Sequence, residues 1–429
     1  MSLRAKLRAS AGSTGADRAD RRVDPDIVGA ARRPDRRVEA IHRVRAVYVR
    51  GTNWGGIVRI VFAAMPAYGH LYPLMPLALA AADAGHEVVV ATGAPFLGRL
   101  PLPTVSGFEP EATLTLSGVE DEVHRRYPEL RAGFPATLVD FVTAMFGEVI
   151  AELVMPAVRD ALVGADVLVY EAFNVGAAAA ARECGIPAIA FGLGSIPPPL
   201  ERIHQRAGLP GLPDRYLDPM PALLRSGAED RIADRIEIRP VAWSEPTSGP
   251  PPEWPDPGRP ESRHPRVYVT LGTVVYGRVD VFRRVIDELA ELALDVLVVV
   301  GPEGDVAALG ALPPGVRAER FVPQDEVLGH VDLVVHHGGA GTTLGAAAAG
   351  VPQLLLPQAA DQFRNAAAVA AAGVGRGLAD VLAEPAGTIR AVAQALLSDG
   401  AERDAVRELA AEIAAMPAPA DVVRTLFSS

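Results

Sequence analysis

Short apolar runs alternate along this chain with longer segments that have the periodicity of helices. A strand, a helix and a second strand are predicted within residues 58–91, and the same order returns at residues 165–191, 267–300 and 332–356. Several of these helices end at a glycine, such as Gly85, the residue that most often closes a helix. Because strands that alternate with helices form mainly parallel sheets, the pattern predicts an α/β protein.

The boundaries of the predicted elements follow from the same periodicity. The predicted strands are residues 58–64, 87–91, 165–170, 188–191, 267–271, 296–300, 316–321, 333–335 and a run that begins at Pro352. The predicted helices are residues 74–84, 138–162 with an interruption at Pro156, 175–183, 281–292, a segment that ends at Gly350, 362–372, 385–397, 401–415 and 420–427. Residues 95–135 are rich in proline, glycine and threonine, which predicts long loops that carry ligand specificity.

One supersecondary unit occurs twice in nearly the same form. Residues 165–191 and 332–356 both contain a strand, a polar turn, an alanine-rich helix, a Gly-Ile-Pro or Gly-Val-Pro step and a second strand. Two copies predict two similarly wound domains, at residues 58–243 and 266–400. Residues 244–265 between them are rich in proline and lack apolar periodicity, which is typical of an interdomain linker.

The N-terminal segment differs in composition from the rest of the chain. It holds paired arginines such as Arg21-Arg22 and shows little apolar periodicity. Its aspartates speak against a transit peptide and it has no apolar signal core, while a nucleic-acid-binding arm is an alternative. We expect residues 1–57 to be a disordered extension without a folded role, upstream of a fold that begins at Val58.

Composition narrows the classes of function. The chain has 429 residues, of which 49% are hydrophobic and 22% charged, which is typical of a globular protein with two domains. A net charge of −11 argues against a nucleic-acid partner and means that a phosphate site depends on local geometry. The single cysteine, Cys184, excludes disulfides and cysteine-based metal clusters. We find no apolar run long enough to span a membrane, so we expect a cytoplasmic protein without a membrane partner.

A cluster of histidine, glycine and threonine follows one of the predicted strands. The sequence His336-His337-Gly338-Gly339-Ala340-Gly341-Thr342-Thr343 leads from that strand directly into an alanine-rich helix. The start of a helix presents unpaired N–H groups and the positive end of the helix dipole, and glycines let the backbone approach a ligand. The arrangement predicts an anion site, above all for phosphate. A tight turn with an incidental histidine pair is the alternative.

Four short motifs stand in a fixed order along the second predicted domain. They are Phe321-Val322-Pro323-Gln324, His337-Gly338-Gly339-Ala340-Gly341-Thr342, Gly350-Val351-Pro352 and Asp361-Gln362. In order and spacing they resemble the donor-binding signature of the GT-B glycosyltransferases that use nucleotide sugars, the family shared by plant glycosyltransferases and actinomycete antibiotic glycosyltransferases. The resemblance implies two Rossmann-like domains whose mainly parallel sheets face each other across a cleft. It also implies that helices within residues 401–429 cross back onto the first domain, and it leaves a homodimer open.

The resemblance implies roles for residues of these motifs. The residues expected at the donor diphosphate are Gly272, Thr273, His337, Gly338, Gly339, Ala340, Gly341 and Thr342. Those expected at the nucleobase are Phe321, Val322 and Gln324, and those at the sugar hydroxyls are Asp361 and Gln362. His336 is expected to point into the core. The alternatives are that Thr273 only caps a turn and that Asp361 and Gln362 only begin a helix.

The first predicted domain contributes another histidine. His70 follows the first strand in Gly69-His70-Leu71-Tyr72-Pro73, which resembles the Gly-His-x-x-Pro motif of the family. An imidazole titrates near neutral pH and can take a proton from an acceptor hydroxyl, so His70 is the candidate general base. Glu171 stands where plant relatives place the aspartate that orients this histidine, and it departs from them by one methylene. A helix-capping histidine and a helix N-terminal charge are the alternatives.

Two departures shape the prediction for the donor. Where the plant pattern has a glutamate that holds both ribose hydroxyls, this chain has Gly345, which favours a dTDP-sugar over a UDP-sugar. No Asp-x-Asp pair with metal-binding spacing flanks the motif, so we predict a reaction that needs neither metal nor cofactor, with the dTDP-sugar as co-substrate.

Together these residues predict an inverting, hexosyltransferase-type glycosyltransferase of antibiotic biosynthesis. It is expected to move a (deoxy)sugar from a dTDP-sugar to a hydroxyl of a hydrophobic natural-product aglycone, and these two small molecules are its expected partners. Two other functions stay open, a sugar-nucleotide epimerase on the same fold and a non-catalytic auxiliary protein that binds sugar nucleotide. The Gly-His-x-x-Pro and Asp-Gln motifs disfavour the epimerase, and an intact His70 disfavours the auxiliary protein.

Overall fold

The computed structural model describes residues 56–109, 116–132, 137–245, 264–272, 278–359, 361–398 and 400–427. Residues 1–55 of the predicted N-terminal extension and most of the predicted linker lie outside these residues. The described residues form two sheets in which every strand pair is parallel. None of the helices in this part of the chain has the length and apolar character needed to cross a bilayer.

The first sheet is built from the N-terminal half of the chain. Its strands are β1 (Arg59–Ala63), β2 (Glu87–Thr92), β3 (Thr104–Ser106), β4 (Val167–Glu171), β5 (Ala188–Phe191), β6 (Arg215–Asp218) and β7 (Asp234–Glu237). Their spatial order is β3-β2-β1-β4-β5-β6-β7. The chain winds outward from β1 in one direction and from β4 in the other, so the sheet has its topological switch point between β1 and β4.

Helices cover both faces of this sheet. They are α1 (Tyr68–Leu71), α2 (Met75–Asp83), α3 (Leu116–Arg126), α4 (Pro128–Ala132), α5 (Leu138–Ala144), a π-helical segment (Met145–Ile150), α6 (Ala151–Ala161), α7 (Val175–Cys184) and α8 (Leu200–Arg206). Short 3₁₀ turns lie at Tyr72–Leu74, Ala94–Phe96, Ala222–Leu224 and Ala228–Arg231. Ile60 and Val61 point to opposite faces of β1 and are both fully buried, as a parallel sheet covered on both sides requires.

Two expectations for this half are wrong in detail. The predicted loops at residues 95–135 contain α3 and α4, because Val119 and Val123 are buried four residues apart on a helix whose other side chains are mostly charged. Pro156 lies inside α6 and does not interrupt it. A proline removes one backbone hydrogen bond, but Val154 and Val158 beside it are fully buried, and their packing outweighs that loss.

The second sheet is built from the C-terminal half. Its strands are β8 (Arg266–Thr270), β9 (Asp295–Val299), β10 (Val316–Glu319), β11 (Leu333–His336), β12 (Gln353–Leu355) and β13 (Gly375–Gly377). Their spatial order is β10-β9-β8-β11-β12-β13, which puts the switch point between β8 and β11. The helices of this half are α9 (Val279–Leu289), α10 (Gln324–Leu328), α11 (Ala340–Ala348), α12 (Gln362–Ala371), α13 (Thr388–Leu397) and α14 (Ala401–Ala415), with a 3₁₀ turn at Val306–Leu309.

The last described helix, α15 (Pro419–Phe427), belongs in space to the first half. Its residues Val422, Val423 and Phe427 are each 1% exposed and share one apolar core with Met75 and Ala78 of α2. The chain thus begins and ends its described core on the same face of the first sheet.

Candidate active site

His70 and Glu171 lie at the switch point of the first sheet. His70 is in α1, which follows β1, and Glu171 is the last residue of the neighbouring strand β4. Nδ1 of His70 is 3.1 Å from Oε1 of Glu171, and the glutamate side chain is fully buried while that of the histidine is 24% exposed. Oε2 of Glu171 accepts the backbone N–H of Phe173 at 2.9 Å, which holds the carboxylate in place. The extra methylene of glutamate is therefore compatible with contact to the histidine.

The pKa of His70 reflects this environment. Burial lowers it, but the charge and hydrogen bond of Glu171, together with the charge of Asp361, outweigh burial and leave the pKa above its usual value. Because Nδ1 is bound to Glu171, Nε2 is the nitrogen left to take a proton. The influence of Asp361 also means that a carboxylate of the second half lies near this histidine of the first half.

A second imidazole is held at the switch point of the second sheet. Gly272, two residues beyond β8, has a φ of +79°, and Gly339 precedes α11. A Cβ atom on Gly272 would lie 2.5 Å from Cε1 of His337, and one on Gly339 would lie even closer to Nε2 of the same ring. The ring is therefore held between two stretches of bare backbone, which explains the glycines. Thr273, predicted together with Gly272, lies outside the described residues.

His337 and the start of α11 form a site suited to an anion. Burial lowers the pKa of His337 to about 4, against a hydrogen bond to the backbone of Thr270 that raises it, so the ring is neutral near pH 7 and brings no charge to the site. Its Nδ1 has no hydrogen-bond partner among the described residues. Gly339, at the N-cap of α11, has no side chain to cap the helix. The N–H groups of Ala340, Gly341 and Thr342, in the first turn, therefore have no partner within the helix and are available to a ligand.

His336 has a different, structural place. It is fully buried, and its Nδ1 accepts the N–H of Gly338 at 3.1 Å, so Nε2 carries the proton and donates to Oε1 of Gln353 at 2.9 Å. Gln353 in turn donates to the carbonyl oxygen of Thr343 in α11 at 3.1 Å. Burial lowers the pKa of His336 to about 3. His336 thus holds the turn together and leaves His337 for the anion.

The predicted sugar-binding pair lies at the start of α12. Asn365 donates through Nδ2 to the carbonyl oxygen of Gly338 at 2.8 Å and to Oδ2 of Asp361 at 2.9 Å, which joins the glycine turn to the aspartate. The Asp361 side chain makes no capping bond to α12 and is partly exposed. Gln362 is buried, and its Oε1 accepts the N–H of Gln358 at 2.8 Å. The carbonyl of Gln362 is therefore used within the protein, whereas Asp361 is placed to meet a ligand.

The predicted nucleobase residues precede or begin α10. Phe321 is 37% exposed, with its ring centroid 6.3 Å from that of Tyr68 in the first half. The side chain of Val322 is buried, so this residue has only its backbone to offer. Oε1 of Gln324 accepts a hydrogen bond from Oγ1 of Thr342 at 3.2 Å. This bond links the predicted nucleobase and diphosphate residues.

Gly345 lies on α11 against the side chains of α10. A Cβ atom at this position would be 2.8 Å from Cδ1 of Leu328 and 3.3 Å from Nε2 of Gln324. These two side chains fill the space into which a longer residue at position 345 would have to extend. A side chain at position 345 would therefore have to displace the ends of Leu328 and Gln324.

Residues that the sequence analysis does not single out also join the two halves around the site. Nη1 of Arg364 in α12 donates to the carbonyl oxygen of Ile196 at 3.3 Å. The N–H of Gln324 donates to Oγ of Ser244 at 3.2 Å. Neither Arg364 nor Ser244 belongs to a recognisable motif, and their hydrogen bonds depend on how the halves meet, which local pattern does not encode.

Two phenylalanines complete the surroundings of His70. The ring centroids of Phe146 and Phe173 are 6.4 Å and 6.3 Å from that of the histidine. In the sequence, only the position two residues after Glu171 indicates that Phe173 belongs to the site. Nothing in the sequence indicates Phe146. Among the described residues, no group of three or more His, Cys, Asp and Glu side chains is placed to hold a metal ion.

Two parallel sheets, each with a histidine at its topological switch point, define a GT-B protein. Comparison with known proteins identifies the family. Residues 283–428 match the family described as Erythromycin biosynthesis protein CIII-like, C-terminal domain. The chain is 35% identical to the L-demethylnoviosyl transferase of Streptomyces niveus over 390 residues, which cover 86% of this chain and 97% of that enzyme. It is 32% identical to the elloramycin glycosyltransferase ElmGT of Streptomyces olivaceus over 391 residues, which cover 87% of this chain and 97% of that enzyme.

The fold comparison agrees with the sequence comparison. The crystal structure of the glycosyltransferase SnogD from Streptomyces nogalater matches with a TM-score of 0.71 and 27% identity, and covers 86% of this chain and 99% of SnogD. The chain therefore belongs to the family of actinomycete antibiotic glycosyltransferases with the GT-B fold. The prediction of that family and of its fold is confirmed.

Proposed function

We propose that this glycosyltransferase moves a sugar from a dTDP-sugar to a hydroxyl group of a hydrophobic natural-product aglycone, with inversion at the anomeric carbon. The observation that carries the proposal is the pair formed by His70 and the fully buried Glu171, 3.1 Å apart. Such a pair is suited to taking the proton of the acceptor hydroxyl through Nε2, because the carboxylate stabilises the imidazolium that forms. The similarity to the elloramycin glycosyltransferase supports an antibiotic aglycone as acceptor.

Inversion is supported by the placement of the two reacting groups on different halves. The base belongs to the first half, and the candidate diphosphate site at His337 and α11 belongs to the second. In the proposed step the acceptor oxygen forms a bond to the anomeric carbon while the bond from that carbon to the diphosphate oxygen breaks. His70 takes the acceptor proton, and the diphosphate leaves with the bonding electron pair.

The leaving diphosphate is the group that the second half is proposed to stabilise. The uncapped N–H groups of Ala340 to Thr342 supply hydrogen bonds that strengthen as negative charge grows, and the dipole of α11 adds a positive potential. Nδ1 of His337, which has no partner among the described residues, is left to the ligand. Because these donors act on the leaving group directly, we propose that the reaction needs neither a metal ion nor a cofactor. Asp361, partly exposed and near His70, is proposed to accept hydrogen bonds from the sugar hydroxyls.

The glycine at position 345 supports dTDP as the nucleotide. Leu328 and Gln324 lie beside it, and glycine has no side chain that could hold a ribose 2′-hydroxyl. A site without that contact gains nothing from the extra hydroxyl of a uridine nucleotide.

The proposal is tested with glucose carried by dTDP and by UDP, in the presence of a chelator, against a panel of hydrophobic aglycones. We expect transfer from dTDP-glucose at a higher kcat/KM, unchanged by the chelator, and a product whose anomeric configuration is opposite to that of the donor by NMR. Preference for UDP-glucose, loss of activity on chelation or retention of configuration would each contradict one part of the proposal. Release of an epimerised sugar nucleotide would favour the epimerase instead.

A further inference from the structure

Two phenylalanine rings, Phe146 and Phe173, lie beside the candidate base His70. Phe146 lies against His70 with ring planes inclined by only 29°, whereas Phe173 meets the imidazole nearly edge-on at 74°. The two phenylalanine rings are themselves 5.1 Å apart. Both rings are only partly buried, although their neighbours Met145 and Ala172 are buried. Two large apolar rings thus keep exposed surface at the point where an acceptor has to meet the base.

Phe173 is held in this position by the same carboxylate that orients the histidine. Glu171 uses Oε1 for Nδ1 of His70 and Oε2 for the backbone N–H of Phe173. One buried side chain therefore fixes the base and the backbone of Phe173 relative to each other.

Phe146 owes its position to the π-helical segment between α5 and α6. The wider turn of a π-helix inserts an extra residue into the helix, and such segments recur at functional sites. The next residue, Gly147, packs directly on α8, since a Cβ atom there would lie 2.7 Å from the carbonyl oxygen of Ile203. A glycine at this position lets the segment approach α8 closely, with Phe146 beside His70.

We propose that Phe146 and Phe173 form the subsite for the acceptor ring that carries the reacting hydroxyl, and that this ring is planar and aromatic, so that the hydroxyl is phenolic. The inference rests on the proposed role of His70 as base, because the reacting hydroxyl must come within hydrogen-bond reach of Nε2. The ring that bears it then contacts both phenylalanines. Aromatic rings gain energy from stacked or edge-on contacts beyond the burial of apolar area, and a saturated ring lacks that gain.

Binding of two probes with the same carbon skeleton tests this inference. 2-Naphthol is planar and aromatic, and decahydro-2-naphthol is its saturated counterpart. Their dissociation constants are measured by equilibrium dialysis with the full-length enzyme and with Phe146→Leu and Phe173→Leu. Phe146→Tyr keeps a ring at the same place, and Val139→Ala changes a residue that is 42% exposed on the adjoining α5 and serves as the control.

We expect the wild-type enzyme to favour 2-naphthol by roughly tenfold, and each leucine variant to reduce this ratio by roughly threefold through weaker 2-naphthol binding alone. The tyrosine and Val139 variants should keep the wild-type ratio, which separates loss of the ring from a general disturbance of the fold. A ratio that is the same in the wild type and both leucine variants would overturn the aromatic subsite.

A parallel assay separates this inference from the proposed function. Turnover of dTDP-glucose is followed in the same preparations. Absence of transfer by the wild type, with the expected change in the binding ratio, would sink the proposed function and leave the aromatic subsite standing. Transfer from dTDP-glucose, with the same binding ratio in the wild type and both leucine variants, would support the proposed function and overturn the aromatic subsite.

Discussion

The turns at the two switch points are built from the same strand–turn–helix unit but treat charge in opposite ways. In the first of them, which follows β1 and carries His70, the buried carboxylate of Glu171 at the end of β4 keeps the pKa of His70 above its usual value. In the turn after β11, glycine backbone surrounds His337, and burial lowers the pKa of that ring to about 4. The repeated unit determines where a ligand meets the sheet. The few side chains in each turn decide whether the site is suited to take up a proton or to hold an anion.

The largest expected effect comes from removing the proton acceptor of the first turn. In His70→Ala we expect kcat/KM to fall by about 10²–10⁴, the usual contribution of a general base. The affinity for dTDP, measured by calorimetry, should stay the same because the diphosphate site belongs to the other half.

His330→Ala, which alters an exposed histidine of the second half, is the matched control. Unchanged turnover in His70→Ala would show that this turn does not supply the base, and would favour an auxiliary role for the protein.

The candidate anion site in the second turn is disturbed most directly by a substitution at Gly339. A methyl group there would collide with the His337 ring, and overpacking of this kind costs about 1–3 kcal/mol. We expect Gly339→Ala to bind dTDP roughly ten- to a hundredfold more weakly in a calorimetric titration.

Gly329→Ala provides the comparison for this variant, because that glycine has a φ of −72° and open space around its Cβ position. Equal affinities in the two alanine variants would contradict the idea that bare backbone is needed to hold His337.

Replacing the carboxylate of Glu171 by an amide tests how far its charge controls the pKa of His70. Only a neutral His70 can accept a proton, so activity falls as the pH drops through its pKa. Glu171→Gln removes the charge that raises this pKa, so the acidic limb of the kcat/KM profile should move to lower pH. The weaker hydrogen bond should lower kcat/KM near neutral pH by about tenfold. An acidic limb at the wild-type position would mean that Glu171 does not control the titration of His70.

The smallest expected effect on turnover, yet a clear one on stability, concerns His336. Its folded-state pKa of about 3 lies below that of the unfolded chain, so the unfolded state binds the proton first as the pH falls. Stability is therefore lost below about pH 6.5, by about 2 kcal/mol at about pH 5. In His336→Asn this contribution disappears, so urea midpoints at about pH 7 and about pH 5 should differ less than in the wild type. An equal difference in both proteins would show that His336 is not held neutral.

The sheet centres were predictable from the sequence because they are apolar on both faces. The runs that contain Ile60, Leu168, Val269 and Val334 are continuous and short, and each is followed by a turn and a helix, which is enough to indicate parallel strands. The residues just beyond these runs follow from the same logic, because the carboxyl ends of parallel strands meet at one edge. This is why both histidine turns could be located from local sequence.

The outer strands of the first sheet were not predictable. β6 and β7 consist largely of charged residues, and they pair through bridges such as Arg215–Asp234 and Arg235–Asp218. Asp218 is fully buried and satisfied by two arginines and the N–H of Met220. Hydrophobic periodicity gives no signal for a strand whose partners neutralise its charges, because those partners are known only once the fold is formed.

The site shows the same division. The turn residues were found because their types are unusual for a turn, but Asn365 and Arg364 act through contacts across the fold and carry no local mark. Gln362 illustrates the converse, since its motif predicts a sugar contact while its carbonyl oxygen is bound to the backbone of Gln358. Sequence pattern thus indicates which chemistry is present more reliably than it indicates which atoms remain available to a substrate.

The return of α15 to the first sheet has a consequence for how the protein is made. Val422, Val423 and Phe427 complete a core that includes Met75 and Ala78, which are translated some 340 residues earlier. Until α15 has emerged from the ribosome, one face of the nascent first half keeps an apolar groove open to solvent and to chaperones. The core of the first half can therefore be completed only after the whole second half has been synthesised.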